Sequence, residues 1–182
     1  MSGHSKWSQI KHKKGATDAK RSKTFSQLSH AITLAAREKG QDPGLNPTLR
    51  TAIENAQAVN MPKDTIDRAI TKATSPENTL MRVTYEAYGP GGVALVIEGS
   101  TDNNNRTFAQ IRTVLETHGA KMAPGGALWA FVKEGEEWIA KTTVPVDDET
   151  RKKIDELAEV LEEHEDIQEV YTNTMQNVNI KV

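Results

Sequence analysis

Residues 73–97 read ATSPENTLMRVTYEAYGPGGVALVI, and their pattern decides the fold. The first six positions have the Thr, Ser, Pro and Asn content of a linker. Val83, Tyr85 and Ala87 then alternate with polar neighbours, which is the period of a strand with one buried face. Gly89-Pro90-Gly91-Gly92 is a turn, and 93–97 is an unbroken apolar run of the length of a central strand. A phosphate-binding loop is the competing reading of those glycines. It fails because no Lys-Ser/Thr follows at the required offset and the segment leads into a strand, not a helix.

Upstream of this stretch the apolar period is 3.6. Residues 1–17 read as an irregular or weakly helical basic arm. Asp18 fits the N-cap of a helix that ends near Gly40, with Phe25, Leu28, Ile32 and Ala35 as its buried stripe. Asn46 and Pro47 have the cap and first-position chemistry of a second helix, whose stripe is Leu49, Ile53, Ala56 and Val59. Met61-Pro62 breaks it and starts a third, carrying Ile66, Ala69 and Ile70. Three short helices of this kind predict a small bundle over residues 1–79.

Downstream the elements are mixed. A helix is expected over 104–118 with Phe108, Ile111, Leu115 and His118 on one face, closed by Gly119. Strands are expected at 128–132 and 138–144, and Asp147-Asp148 cap a helix with stripe Ile154, Leu157, Ala158 and Leu161. A strand at 167–172 follows, and Val178, Ile180 and Val182 alternate as a last one. The order β-β-α-β-β-α-β predicts an α+β fold: an N-terminal three-helix domain followed, over 80–182, by a mixed, mainly antiparallel α+β domain.

The chain has 182 residues and no cysteine, so disulfides and thiolate metal sites are excluded. No apolar run reaches transmembrane length, and the N-terminus has no signal-peptide core; a cytoplasmic protein is expected. Charge is segregated. Residues 1–72 carry 13 Lys+Arg against 6 Asp+Glu, and 73–182 carry 10 against 19, giving net charges of +7 and −9. Such asymmetry points to a polyanion partner for the basic half.

The basic residues are denser still at the start. Lys6, Trp7, Lys11, His12, Lys13 and Lys14 interleave cations with an indole and an imidazole, and Lys20, Arg21 and Lys23 follow at the start of the first helix. Phosphates need cations, and bases stack on aromatic rings. Cations at a helix N-terminus oppose the helix dipole by roughly 0.3–1 kcal/mol each at low salt, so stability alone would not put them there. These nine residues are the candidate nucleic-acid-binding set. Two readings of Trp7 stand, a stacking ring and an anchor for the arm. Asn105 and Arg106, between a strand and a helix, are a possible secondary anion contact, set against the ordinary helix-capping role of Asx residues. The five histidines show no metal-ligand spacing, and no catalytic constellation is visible. No metal, cofactor, small-molecule substrate or enzymatic activity is therefore expected. The acidic segment 155–166 reads as a solvated helix face.

Gly3-His4-Ser5-Lys6-Trp7, Ile10-Lys11-His12-Lys13-Lys14 and Asp18-Ala19-Lys20-Arg21 together resemble the start of the YebC/PmpR family. Further blocks agree: Asn46-Pro47 with Leu49-Arg50, AVNMPKDTIDRA at 58–69, YEAYGPGGV at 85–93, and Thr101-Asp102-Asn103 with Asn105-Arg106-Thr107. The family includes the mitochondrial translational activator of cytochrome oxidase. The resemblance implies a helical domain, an α/β domain and a small third domain inserted into the second. Here only 133–142 separates Trp129-Ala130-Phe131-Val132 from Thr143-Val144-Pro145-Val146-Asp147, so the inserted domain is expected to be absent. The resemblance further implies a regulator of gene expression that binds promoter DNA, or a translation factor that binds ribosomal RNA or tRNA at the ribosome. A non-enzymatic protein-interaction module acting through the acidic domain is the alternative.

Overall fold

The structure is a computed structural model, and it describes residues 18–77, 79–135 and 137–175, with side chains from residue 21 onward. The expected arm over 1–17 and the expected strand at Val178, Ile180 and Val182 lie outside the described residues. The described chain separates into two compact units, one running to Arg82 and taking in Ser100–Asn103, the other formed by Val83–Gly99 and the chain from Asn104 onward.

The first unit contains α1 (Asp18–Lys39), α2 (Pro47–Ala58) and α3 (Lys63–Lys72). Its core joins Leu28, Ile32, Ala35 and Ala36 of α1 to Leu49, Ala52 and Ala56 of α2 and to Ile66 and Ala69 of α3, with Phe25, Ile53, Val59 and Ile70 half-buried around it. Each fully buried Leu or Ile contributes about 1.5–3 kcal/mol, so the three stripes account for the bundle. Helix α1 stops where Gly40 takes φ +94°, and the Gly40 amide bonds to Ala36 O at 3.0 Å. Within the bundle the Thr33 hydroxyl donates to Ala69 O at 2.9 Å, which satisfies a buried polar group.

Asn46 holds the first two helices together. It is buried at 1% exposure. Its Oδ1 accepts the Leu49 amide at 3.0 Å as the α2 cap, while its Nδ2 donates to Ala35 O at 2.8 Å and Gly40 O at 2.7 Å. One side chain therefore satisfies the start of α2 and the end of α1.

The second unit is built on a four-stranded sheet in the order β3-β1-β2-β6, with β1 Met81–Tyr88, β2 Ala94–Thr101, β3 Lys121–Met122 and β6 Ile167–Thr172. The short turn at Pro90–Gly92 joins β1 to β2, with the Gly89 amide bonded to Val93 O at 2.8 Å. Strand β6 runs antiparallel to β2, and β3 antiparallel to β1. Helices α4 (Asn104–Thr117) and α5 (Asp148–Glu162) cover one face, where Ile111, Leu115, Leu157 and Leu161 meet Val83, Tyr85, Ala87, Leu95 and Ile97. A separate hairpin, β4 (Phe131–Glu134) with β5 (Glu137–Ala140), covers the other, where Phe131, Trp138 and Ala140 meet Ala94, Val96 and Tyr171. The fold is α+β, as expected.

Several sequence expectations are corrected in detail. Strand β3 was not expected, because two residues are too short to show a period. The strand expected at 128–132 starts only at Phe131; Leu128–Ala130 is a 3₁₀ turn because the Ala127 and Leu128 amides go to the Glu86 carboxylate instead of a ladder. The strand expected at 138–144 ends at Ala140, since the Lys141 and Thr142 amides both turn to Ala130 O. Val144 instead forms an isolated parallel bridge with Thr174. Phe108 is not in the core: it is 38% exposed and meets Tyr85 edge-on at 6.0 Å. Asp166 is not part of a solvated face but is buried at 2% exposure. Among the described residues no helix is long and apolar enough to cross a membrane.

Asn46→Ala removes the cap and leaves the Ala35 and Gly40 carbonyls without their donor, so a loss of about 2–4 kcal/mol is expected. Asn46→Ser keeps a cap acceptor but not the two donated bonds and should fall between wild type and Ala. Urea unfolding measures both, and equal losses for Ser and Ala would show that the cap bond contributes nothing.

A second expectation concerns Gly99, at the register shift between Glu98 and Gly99 in β2. A Cβ there would lie 2.1 Å from Asp166 O, a backbone atom that cannot swing away. Gly99→Ala should lower the thermal midpoint and broaden the β2–β6 amide exchange pattern, whereas a neutral outcome would require β6 to have moved.

Candidate nucleic-acid interface

The candidate residues fall into three groups by position. Lys6, Trp7, Lys11, His12, Lys13 and Lys14 lie outside the described residues. Lys20, Arg21 and Lys23 sit in the first two turns of α1, and the side chain of Lys20 is outside the described set. Arg21 is exposed and Lys23 half-buried. The Arg21 guanidinium lies 5.2 Å from the centre of the Phe25 ring, one turn along the helix. Such a contact contributes about 0.5–1 kcal/mol at an exposed site, enough to offset the unfavourable dipole position of this one cation.

The helical unit holds more exposed cations than the sequence reading singled out. Arg37, Arg50, Lys63, Arg68 and Lys72 are exposed, and among the described residues none of them forms an ion pair. The helical period could have found them, since each lies off the buried stripe of its helix. The exposed side of α3 also carries Asp64 and Asp67, which makes it mixed in charge.

Asn105 and Arg106 are placed at the start of α4, as expected. Asn105 is exposed. The Arg106 guanidinium is bonded to Asp166 Oδ2 at 3.1 Å, and the Thr107 hydroxyl donates to the same oxygen at 2.6 Å. The chain's own buried carboxylate thus sits at the N-terminal turn of α4, where positive dipole and donors would hold an anion. A phosphate there would have to compete with Asp166 for Arg106.

The electrostatics of the two units differ. Near the end of α1, Glu38 accepts from Arg82 Nε at 2.8 Å, and that bond holds its pKa below the usual carboxylate value. In the second unit burial dominates. Burial first, and the Asp166 charge second, push Tyr85 up to about 12. Glu98, the one charged residue of the β2 run, is bonded by Trp138 Nε1 at 2.7 Å and by Lys133 Nζ at 3.1 Å. Directly across from it is Glu169, which accepts the Tyr171 hydroxyl at 2.6 Å. Burial raises the Glu169 pKa, with Glu162, Glu137 and Glu98 adding repulsion against the lowering effect of Tyr171. Tyr171 is raised as well, by burial and then by its bond to Glu169, and stays neutral. Among the described residues no group of three His, Asp or Glu side chains could hold a metal ion.

The arrangement defines a class of protein: a cation-rich helical unit in one chain with an acidic, helix-covered sheet. Comparison with known proteins then places it. The family model described as the TACO1/YebC protein N-terminal domain matches residues 5–76, and the one described as the TACO1/YebC second and third domain matches 80–136 and 134–174. The chain belongs to the TACO1/YebC family. It is 49% identical over 176 residues to a "Probable transcriptional regulatory protein" of Petrotoga mobilis, covering 94% of this chain and 70% of that one. A protein of the same description from Dictyoglomus turgidum is 49% identical over 152 residues, covering 82% of this chain and 61% of the relative. The crystal structure of a conserved hypothetical protein, Aq1575 from Aquifex aeolicus, matches with a TM-score of 0.81 at 32% identity, covering 97% of this chain and 99% of that chain.

The raised Glu169 pKa has a consequence for stability. Its folded-state value lies above the unfolded one, so the stability it contributes is fully present below the unfolded value and is lost as pH rises through the folded value. Glu169→Gln keeps an acceptor for Tyr171 and removes the charge facing Glu98. The variant should melt above wild type at neutral pH, with the gap closing in acid. Equal midpoints at neutral pH would contradict the assigned cause.

Proposed function

We propose that this chain is a nucleic-acid-binding regulator of gene expression that acts without catalysis, and that its basic N-terminal arm, with Lys20, Arg21 and Lys23 of α1, is the contact surface. The observation that carries the reading is the concentration of cations over 6–23, where seven Lys and Arg face a single acid, Asp18. Such a cluster neutralises phosphates by counterion release and carries no sequence information of its own. Family membership and the description of the relatives as probable transcriptional regulatory proteins support the regulatory role. A cytoplasmic site of action follows from this reading.

Between duplex DNA and structured RNA, the relatives' descriptions favour DNA. The residues favour RNA, of the ribosome or a tRNA. Sequence-specific reading of a major groove generally uses a rigid recognition helix, whereas here the cations are concentrated in an arm that includes Trp7. The mixed charge of α3, with Asp64 and Asp67 exposed beside Lys63 and Arg68, fits poorly against a phosphate-lined groove. The reading also takes the Gly135 end of the β4–β5 hairpin as the point where the family's inserted domain is missing. The two segments of the family match, which meet and overlap at 134–136, and the direct Glu134↔Glu137 pairing support this.

Salt titration of binding tests the central claim. Each neutralised phosphate steepens the fall of log affinity with log salt by about 0.9 on duplex DNA and 0.7 on single strands. Lys13→Ala with Lys14→Ala should flatten the slope by about one to two units and weaken binding to all sequences alike. The ligand with the greater affinity at matched salt, ribosomal RNA fragment or duplex DNA, identifies the polyanion. Unaltered affinity and slope on both would mean that the arm is merely solvated.

A further inference from the structure

The second unit uses most of its cations internally. Arg106 is paired with Asp166, Arg112 with Glu116, Lys133 with Glu98, Lys152 with Glu156 and Lys153 with Glu149. Among the described lysines of this unit, only Lys121 and Lys141 form no ion pair, and both are exposed. The fold ties the backbone positions of these two to residues that hold one exposed ring, Trp129. Lys121 is the register partner of Tyr88 across β3 and β1, so their side chains leave the sheet on one face. The Tyr88 hydroxyl accepts the indole N–H of Trp129 at 2.8 Å and donates to Gly126 O at 2.9 Å. The Lys141 amide bonds at 2.8 Å to the carbonyl of Ala130, the residue after Trp129.

Trp129 is 57% exposed, yet it is held in place. Its backbone lies in the 3₁₀ turn Leu128–Ala130, and the two amides leading into that turn, from Ala127 and Leu128, are both bonded to the Glu86 carboxylate. Its one polar atom is committed to Tyr88, so the ring offers an apolar π-face and no donor. A large ring left in water forgoes the free energy of burial, and a fixed ring loses little entropy when something lies on it. The other exposed aromatic ring among the described residues, Phe108, is already covered at one edge by Tyr85. Glu86, the acid bonded to this turn, accepts from two amides.

We propose that Trp129 is a stacking platform for an unpaired nucleobase, with Lys121 and Lys141 neutralising the phosphates that flank that base. The inference rests on the nucleic-acid reading above and adds a second contact, on the unit whose overall charge would otherwise repel the ligand. A planar base matches a rigid apolar face, the two unpaired lysines lie on segments tied to Tyr88 and Ala130 beside it, and stacking of this kind tolerates any base because every base has a π-face. It predicts a preference for single-stranded or looped nucleic acid over a continuous duplex, which has no base to offer.

The test uses the full chain with a short labelled oligoadenylate and a blunt duplex without unpaired bases. Trp129→Ala should weaken oligoadenylate binding roughly five- to hundredfold, leaving the salt slope and the duplex affinity unchanged. Trp129→Phe should retain most of the affinity, and Trp129→Leu should behave as Ala, since bulk without a π-face does not stack. Lys121→Ala with Lys141→Ala should flatten the single-strand salt slope by about one unit. In wild-type protein labelled with 5-fluorotryptophan, the Trp129 resonance should shift on adding oligoadenylate, a readout independent of how any Trp129 variant folds. An unshifted resonance, or full oligoadenylate affinity in Trp129→Ala or Trp129→Leu, overturns the platform; the last two are also what a protein-binding role for the ring would give. Loss in the Trp129 variants with no effect of Lys13→Ala and Lys14→Ala would sink the arm and leave the platform standing. A wild-type chain that binds neither probe removes both.

Discussion

Strand β2 has no face to turn towards water, and the second unit is arranged around that fact. Leu95 and Ile97 point to the helices, while Ala94 and Val96 point to the hairpin, and all four are fully buried. A strand buried on both sides needs two covering layers and two neighbouring strands, and the chain supplies α4 with α5, the β4–β5 hairpin, β1 and β6. Glu98 is the one charge in this run, and burial makes an unpaired carboxylate untenable there. Lys133 and Trp138 of the hairpin meet it, so the same residue that would destabilise the strand fixes where the hairpin lies. The Lys133 ammonium also lies 5.0 Å from the centre of the Trp138 ring, which ties the cation to both partners.

What was legible in the sequence follows from this. Residues 93–97 announce a central strand because nothing polar interrupts them, and the helix stripes are legible because burial on one side of a helix forces the 3.6 period. The segment 121–144 was read less well, since its structure is set by side-chain to backbone bonds between residues far apart in the chain. Glu86 takes the amides of Ala127 and Leu128, 41 and 42 residues away, and no local pattern encodes that. Asp166 is read as part of a solvated acidic face because it closes a carboxylate-rich run around an apolar stripe; its partners, Arg106 and Thr107, lie 60 and 59 residues earlier, on α4. The basic cluster was legible as composition, but Trp129 was not marked as a candidate, because an exposed aromatic cannot be told from a core one before the fold is known.

Charge is handled in opposite ways by the two units. In the acidic one, five of the described cations are matched to carboxylates within the fold, at Asp166, Glu98, Glu116, Glu149 and Glu156. In the helical one, Arg37, Arg50, Lys63, Arg68 and Lys72 are left unpaired among the described residues, and the sequence before them adds a further cationic run. Surface ion pairs contribute little to stability, typically 0–1 kcal/mol, so leaving them unmade costs the helical unit little. What the unpaired cations do is create a positive potential, which speeds encounter with a polyanion and is screened by salt.

That distinction separates the two contacts inferred for this chain. As proposed, phosphate neutralisation by the basic N-terminal cluster would supply affinity that depends steeply on salt and not on base identity or base exposure. A fixed indole would supply the complementary term, insensitive to salt and available only where a base is unstacked. Neither alone selects a target: cations bind any polyanion, and a stacking ring in an acidic unit meets a ligand that the surrounding charge repels. Combined in one chain, the first would bring nucleic acid in and the second would discriminate looped or single-stranded regions from continuous duplex. Selection by strand state would not require a recognition helix in a groove, and the mixed charge of α3 offers none.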